Sequence, residues 1–489
     1  MAESNGYLLR DALADLDGAG LLGACHLHLD GRWRTGDGFA TPALAFAGAR
    51  LDSRAVGTGE LFVGLAGERA DGRDYVGPAL RAGATVALTR VWANGGADPL
   101  LSSDPGHDAA ILLSADPEAA LTHLARCWRA RSTVARAAVT GTNGKTTTKD
   151  LLAALCGAAA PTCATAGNHN NDLGLPLTLL GLRHDHDLAV VEMGASGAGD
   201  IDRLADLASP LVGVITNASE AHLSGFGSLA EIVRTKGELL DHLPDDGAAV
   251  LNADSPGYDE WRGRAACPVI SWGRKAGDHR WSWRADGAAG RLTLDGRELP
   301  VPLPGRHNGA NLTAAVLAAE RLVGKTLDVA TALAHYAPSP QRGRCLSKGG
   351  LTILDDTYNA NPDSMRTAAA ATVVLPGSGR VIAVLGAMAE LGARSTELHE
   401  TTGRALRETG VDLLLAVGEA AAPLAAGFAA AGGEAVRCEG HLAAARELAA
   451  RVRDGDRVLF KGSRSTAMER TLDAFLARLD PDLGQLERD

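Results

Sequence analysis

AAVTGTNGKTTTKDLLAAL occupies residues 137–155. Its first residues, through Thr140, form a short apolar run suited to a buried strand. Gly141 and Gly144 allow tight turns and close approach of backbone to a ligand. From Thr146 onward, Leu151, Leu152 and Leu155 recur at helical spacing. The segment therefore reads strand, glycine loop, helix. Backbone N–H groups at a helix start, with the helix dipole behind them, bind phosphate oxygens. Lys145 is placed to reach the terminal phosphates of a nucleotide, and the Thr146 hydroxyl to ligate magnesium. The longer phosphate-loop pattern has a glycine five residues before Gly144. Val139 stands there, so this is the shorter G-x-x-G-K-T form. A G-K-T tripeptide alone could be chance in a chain with 59 glycines. The strand before it and the helix after it favour a nucleotide site over a bland turn.

The chain around this loop has 489 residues, which suggests about three domains at roughly 150 residues each. Apolar residues make up 46%, enough for ordinary buried cores. The net charge is −11 and no basic stripe occurs, which argues against nucleic acid or an anionic membrane as the main partner. Seven cysteines are scattered without a C-x-x-C pair, so neither a disulfide framework nor a zinc site is indicated. The start, MAESNGYLLRDALADLDG, lacks the basic-then-apolar order of a signal peptide. No apolar run reaches the roughly 18 residues that span a bilayer. A soluble, cytoplasmic protein is expected, with a monomer as the default. Only seven of the 48 basic residues are lysines. A lysine retained under such a bias is a candidate for chemistry that arginine cannot do. Lys145, Lys236 and Lys461 are the ones in suggestive surroundings, with surface chance as the alternative for each.

Along the chain, residues 1–105 alternate short apolar runs with glycine turns and read as a small N-terminal α/β module. The turn-rich GGADPLLSSDPGHD marks its exit. Residues 106–336 read as a central parallel-sheet domain of P-loop ATPase type. Strand candidates lie at DLAVVEMG, LVGVITN and GAAVLNAD, with an antiparallel addition around WSWRADGAAGRLTLDG. APSPQ, residues 337–341, is a plausible hinge. Residues 337–489 read as a C-terminal Rossmann-like, doubly wound domain, with strands at GLTILDD, GRVIAVLG, DLLLAVG and DRVLFKG. Ligands in open α/β sheets sit at the carboxyl ends of strands, and most polar motifs fall there.

Glu192 ends the apolar run of LAVVEMG. An acid at the end of a buried strand beside a phosphate loop can hold the nucleotide's magnesium, which takes oxygen ligands; capping of the next turn is the alternative. His222 follows another strand on the same sheet edge. Lys236 sits on a predicted helix. It is either a solvated side chain or an amine able to take up carbon dioxide as a metal-binding carbamate. His307, Asn308 and Asn311 open a helix, where asparagines could read adenine or simply cap. ILDDTYNANPDSM places Asp355 and Asp356 at a strand end, with Tyr358, Asn359 and Asn361 in the loop. Lys461, Ser463 and Arg464 follow another strand, in a basic loop that could hold a carboxylate or phosphate.

GTNGKTT, EMG, ITNASEAHL…FGS…TKGE, HNGANLTAA, RGR and DDTYNANPDSM occur in the order seen in the Mur ligases of bacterial cell-wall synthesis, and the chain resembles that family from about 50 to 475. YNANPDSM, AELG, KGSRSTAME and the N-terminal DSRAVGTGELFVGLAGERADGRDYV resemble the branch that adds a dipeptide. The resemblance implies an ATP-dependent amide ligase joining D-Ala-D-Ala to UDP-MurNAc-tripeptide through an acyl phosphate. It implies that Gly141, Thr142, Asn143, Gly144, Lys145, Thr146 and Thr147 cradle ATP. Thr146 and Glu192 would serve one magnesium, and His222 with carbamylated Lys236 a second. Asn308 and Asn311 would lie by the adenosine, with Arg344 and Asp356 as the third domain's ATP contacts. Ser53 and Arg54 would hold the UDP end. Asn168, Asn170 and Asn171 would face the γ-phosphate and the reacting peptide end. One departure stands out: where the family has G-D-M-x-E-L-G, this chain has GAMAELG, with Ala387 at the aspartate position. Two other readings remain: a sibling amide ligase such as a folylpolyglutamate synthase, and a nucleotide switch that makes no bond. The YNANPDSM loop speaks against the first. Lys145, Glu192, His222 and Lys236 together speak against the second, because a switch needs no second metal site.

Overall fold

The computed structural model describes residues 6–35, 44–68, 70–91, 99–102, 104–220 and 223–479. Two compact units are present, one of Met1–Ala138, Ala159–Gly194 and Asp202–Leu211, the other of Val139–Ala158, Ala195–Ile201 and Val212–Asp489.

In the first unit a six-stranded sheet runs in the order Arg32–Thr35, Ala24–Leu29, Ala109–Ser114, Val86–Arg90, Leu61–Gly64, Ala49–Arg50. The last four strands are parallel; Ala24–Leu29 adds antiparallel to them and Arg32–Thr35 antiparallel to it. Ala109–Ser114 lies past the turn-rich stretch read as the module's exit. It is buried along its whole length and pairs with Val86–Arg90, which draws it into this sheet. Phe62, Val76, Leu80 and Ile111 pack its core. Asp116 caps the helix Pro117–Ala130 by accepting from the Ala119 N–H at 2.9 Å. The buried strand Leu188–Glu192 pairs in parallel with Thr162–Ala164.

The second unit has two sheet regions. Val212–Ile215, Ala248–Asn252 and Val269–Gly273 run parallel and are nearly all buried, as strands covered on both faces must be. His279–Asp286, Ala289–Leu294 and Arg297–Val301 extend them as an antiparallel meander with alternating burial. This is the expected antiparallel addition. The helix Arg306–Val323 follows and stops at Gly324, whose φ of 77° a β-carbon would strain.

The C-terminal sheet has the order Arg344–Lys348, Leu351–Asp356, Arg457–Lys461, Val381–Leu385, Leu413–Val417, Glu434–Cys438. Separate apolar cores lie on its two faces, one around Met365, Leu406 and Phe428, the other around Leu448, Phe460 and Phe475. The doubly wound reading holds, with one difference. Arg344–Lys348 is an antiparallel strand, and it and Glu434–Cys438 escape the sequence pattern. Both are edge strands and half exposed, so neither needs the continuous apolar run that marks the inner four.

Candidate functional site

The glycine loop leaves the strand Ala135–Thr140 and turns into the helix Lys145–Gly157. Its two glycines are required sterically. Gly141 has φ 140°, and a β-carbon there would stand 2.0 Å from Thr216 Oγ1. Gly144 has φ 80°, and its β-carbon would stand 2.3 Å from Asn311 Oδ1. The Lys145 ammonium folds back on its own loop, donating to the carbonyls of Gly141 at 2.8 Å and Thr142 at 3.1 Å. An arriving phosphate can compete for those donors. Thr146 is buried in the helix's first turn and Thr147 is half-buried beside it.

The TNAS segment after strand Val212–Ile215 supports the loop. The Thr142 N–H donates to the Asn217 carbonyl at 3.0 Å, and the Ser219 N–H to Thr142 Oγ1 at 3.1 Å. Asn217 also holds both backbone groups of Asn143. Asn308 and Asn311 form a bonded pair, of which Asn311 lies next to Gly144. Both are buried; Asn311 Nδ2 donates to Asn308 Oδ1 at 3.0 Å, and Asn308 Nδ2 to the Pro304 carbonyl at 2.7 Å. Asn311 thereby stands against the turn at Gly144. His307 beside them presents an Nδ1 without a partner, and burial pushes its ring down to about 4.

Lys236 is 3% exposed at the end of helix Leu229–Gly237, with its ammonium 5.4 Å from the Phe226 ring centre. Burial, and then the charge of Lys145, push its amine down to about 7 against the pull of Asp200 and Glu238. His222 lies outside the described residues.

At the carboxyl edge of the C-terminal sheet, Asp356 and Lys461 stand opposite each other on adjacent parallel strands. They form an ion pair, and the buried Lys461 also donates to the Asn359 carbonyl at 2.7 Å. Tyr358 lies under the Arg342 guanidinium, 3.8 Å from the ring centre. Asn359 Oδ1 accepts from the Ala360 N–H. Asn361 and Ser364 form a reciprocal capping box that starts the helix Pro362–Val373. Ser463 is buried, its Oγ 3.1 Å from Ser465 Oγ. Arg464 is exposed and pairs with Glu469 at 2.9 Å. Arg344 is exposed on its edge strand.

In the second unit a cavity of about 870 Å³ opens beside His307, bounded by Trp281, Trp283, Arg274, Arg306 and Asp363. Asp363 reaches the phosphate loop directly: Asn143 Nδ2 donates to its Oδ2 at 3.0 Å, and Asn361 Nδ2 donates to Asn143 Oδ1 at 2.8 Å. Sequence reasoning gave Asp363, Asn217 and Ser219 no role. All three sit inside the quoted motifs, but nothing in their spacing says what they touch.

In the first unit, Glu192 is 1% exposed. Its Oε1 accepts from Asn170 Nδ2 at 2.7 Å, and its backbone N–H donates to Thr165 Oγ1. Its Oε2 is buried without a hydrogen-bond partner. A buried carboxylate oxygen left open suits a hard cation. Asn171 Oδ1 caps the Gly174 N–H, and Asn168 is exposed. Ser53 and Arg54 lie in a short turn, where Arg54 pairs with Asp52 at 2.8 Å and holds that carboxyl down to about 2. Among the described residues, no three His, Cys, Asp or Glu side chains converge as a metal cluster.

Residues 139–319 match the Mur ligase middle domain, and residues 341–464 match the Mur ligase glutamate ligase domain. The UDP-N-acetylmuramoyl-tripeptide–D-alanyl-D-alanine ligase of Synechocystis is 36% identical over 433 residues, covering 87% of this chain and 91% of that one. The enzyme of the same name from Escherichia coli is 36% identical over 448 residues, covering 86% and 92%. MurF from Acinetobacter baumannii superposes with a TM-score of 0.80 at 29% identity, over 96% of this chain and 99% of that one. MurF ligase from Thermotoga maritima in complex with ADP gives 0.74 at 29% identity, over 88% and 98%. The chain belongs to the Mur ligase family, on the branch of these UDP-N-acetylmuramoyl-tripeptide–D-alanyl-D-alanine ligases.

Proposed function

We propose that this chain joins D-alanyl-D-alanine to UDP-MurNAc-tripeptide at the expense of ATP, giving UDP-MurNAc-pentapeptide, ADP and phosphate. The observation that carries it is the match to dipeptide-adding ligases over 87% of the chain, with a sterically required phosphate loop inside it. The chemistry demands ATP. A carboxylate attacked directly by an amine would have to expel oxide. Transfer of the γ-phosphoryl group to the tripeptide's terminal carboxylate gives an acyl phosphate. The deprotonated dipeptide amine then attacks the acyl carbon, the tetrahedral adduct collapses, and phosphate leaves with the electron pair.

Lys145, released from its loop carbonyls, holds the migrating phosphoryl oxygens as charge spreads over them. The loop N–H groups of Gly141 to Thr147 bind the β-phosphate side. Thr146 and Glu192 are the residues we assign to one magnesium; the unpartnered Glu192 Oε2 supports that role. We assign a second ion to His222 and to Lys236 as its carbamate. The buried Lys236 amine, pushed down to about 7, is in good part unprotonated near neutral pH, and that form can add carbon dioxide with loss of a proton. Bound magnesium would supply charge neutralisation for the phosphates. Arg344 and Asp356 are assigned to ATP as the third domain's contacts. Asn308 and Asn311 are assigned to the adenosine; the cavity beside their neighbour His307 has room for a nucleoside. Ser53 and Arg54 are assigned to the UDP end. Asn168, Asn170 and Asn171 are assigned to the reacting peptide end, and Tyr358, Asn359, Asn361, Lys461, Ser463 and Arg464 to the dipeptide. No helix among the described residues is long and apolar enough to cross a membrane. The seven free cysteines fit the reducing cytoplasm, where we place the enzyme.

The test is phosphate release from Mg·ATP and UDP-MurNAc-tripeptide, with and without D-Ala-D-Ala, with mass spectrometry of the product. Dipeptide-dependent release and a product heavier by one D-Ala-D-Ala is the expected result. Release indifferent to the dipeptide would reassign the acceptor.

A further inference from the structure

Asn143 stands at the second x of G-x-x-G-K-T, a position usually read only as loop backbone. Here its side chain is engaged on both hydrogen-bonding ends. Nδ2 donates to Ser219 Oγ at 3.1 Å and to Asp363 Oδ2 at 3.0 Å, and Oδ1 accepts from Asn361 Nδ2 at 2.8 Å. Neither end of this bridge is loose. The Asn143 backbone is fixed by Asn217, whose Oδ1 accepts from its N–H at 3.0 Å and whose Nδ2 donates to its carbonyl at 3.0 Å. Thr216 Oγ1 adds a third bond, to the same carbonyl, at 2.7 Å. Asn361 is fixed from the other side, since its Oδ1 caps the Ser364 N–H at 2.8 Å and leaves only the amide nitrogen free to reach Asn143. Asp363 is in turn braced by Arg366 at 3.1 Å.

The segment so held immediately follows Asp356, Tyr358 and Asn359, the residues that crowd the carboxyl edge of the C-terminal sheet. A rigid phosphate loop is thus tied, by one amide, to the start of the helix that follows the acceptor-side loop. We infer that Asn143 is a positioning residue: it sets the acceptor-side loop of residues 358–361 against the phosphate loop. Its loss misplaces the dipeptide relative to the acyl phosphate without emptying the nucleotide site. The inference rests on the ligase reading above. A reacting pair moved by an ångström loses rate steeply, because the attacking and accepting atoms must meet near contact distance.

The test is a double-mutant cycle on the full chain with Asn143→Ala and Asn361→Ser. Serine keeps the helix cap but is too short to reach Asn143, so capping and bridging are separated. Asn361→Ser is expected to lower kcat/KM for D-Ala-D-Ala about tenfold, the cost of roughly one good hydrogen bond, and Asn143→Ala, which also loses Ser219 and Asp363, by at least as much. The double variant should be no worse than Asn143→Ala alone, and ADP affinity should stay within about threefold of the parent in all three. Losses that multiply to about a hundredfold would overturn the bridge. So would an Asn143→Ala variant that loses ADP while Asn361→Ser is silent, since that pattern makes Asn143 only a loop-shaping residue. Asn143→Ser serves as the second variant if the alanine variant fails to fold. A parent protein that turns over no dipeptide at all refutes the ligase reading, not the bridge. In that case the same cycle is read through dipeptide-independent ATP hydrolysis, where matching non-additive changes still support the bridge.

Discussion

Replacing Gly144 by alanine probes the phosphate loop at its least forgiving point. Two costs can be worked from the structure. With φ at 80°, an alanine sits in the left-handed region, which costs an L-residue about 1 kcal/mol. Its β-carbon would also stand 2.3 Å from Asn311 Oδ1. A side-chain tip is normally cheap to move, but Asn311 is 7% exposed and its amide is bonded to Asn308. Displacing it breaks that bond and leaves the buried Asn308 Oδ1 without its donor, about 1–3 kcal/mol more. The sum is about 2–4 kcal/mol against the native loop. If only the native loop binds nucleotide, ADP affinity falls by that population factor, roughly 30- to 1,000-fold. Titration calorimetry with Mg·ADP measures it.

The origin of the loss can be isolated in an Asn311→Ala background. There the clash and the Asn308 bond are both already gone, so adding Gly144→Ala should cost only the backbone term, about fivefold in affinity. An equal loss in both backgrounds would refute the steric account and leave backbone strain as the whole effect.

Three other outcomes are expected. Glu192→Gln keeps the oxygen that Asn170 uses and replaces the unpartnered one by a neutral amide. ATP titrations should then lose the difference between magnesium and EDTA, while thermal stability holds or rises because a buried charge is gone; a retained magnesium dependence would remove Glu192 from the metal site. Lys236→Ala should lose ligase activity, with partial rescue by a small carboxylic acid and none by bicarbonate, and full activity in the variant would sink the carbamate. Acid should weaken the fold through its buried histidines. His307 is pushed down to about 4, so the stability tied to its neutral ring is complete above an unfolded pKa of about 6.5. That stability is lost as the pH falls from there toward 4, because only the unfolded chain takes the proton. The fall in thermal midpoint across this window should be smaller in His307→Gln, and identical slopes would show that the ring does not couple to unfolding.

How much of this was legible in the sequence follows from range and burial. The strand Leu188–Glu192 and the inner C-terminal strands were readable because buried parallel strands are continuous apolar runs. The helix after Gly144 was readable from leucine spacing. The edge strands were not, since a half-exposed edge carries no such run. Glu192 could be placed at a strand end from sequence, but not its one open oxygen, which depends on an asparagine 22 residues away. Asn143 and Asn361 both sat in quoted motifs, yet they are 218 residues apart, and no local periodicity encodes their bond. That Asn311 stands against Gly144 of another segment is tertiary information, which its place near a helix start does not carry.

Ala387, where the Mur pattern has aspartate, is explained by the same kind of tertiary information. The residue is buried, and its methyl group clusters with Ala416, Ala421 and Ala425. A carboxylate there would lose part of its hydration against these methyl groups, a cost unless it found donors of its own. The backbone of this loop carries what the side chain does not. Gly386 donates its N–H to the Lys461 carbonyl at 2.9 Å, and the Ala387 carbonyl accepts from the Ser463 N–H at 3.0 Å. The Met388 N–H donates to His399 Nε2 at 2.9 Å, and His399 Nδ1 faces the Ser395 carbonyl at 2.7 Å, which fixes the ring as the neutral tautomer. Residues 386–388 are therefore fastened to the strand end that carries Lys461 and Ser463, and the fastening needs no side chain at 387. The loop contributes position, and the charge at this edge of the sheet rests with Asp356 and Lys461.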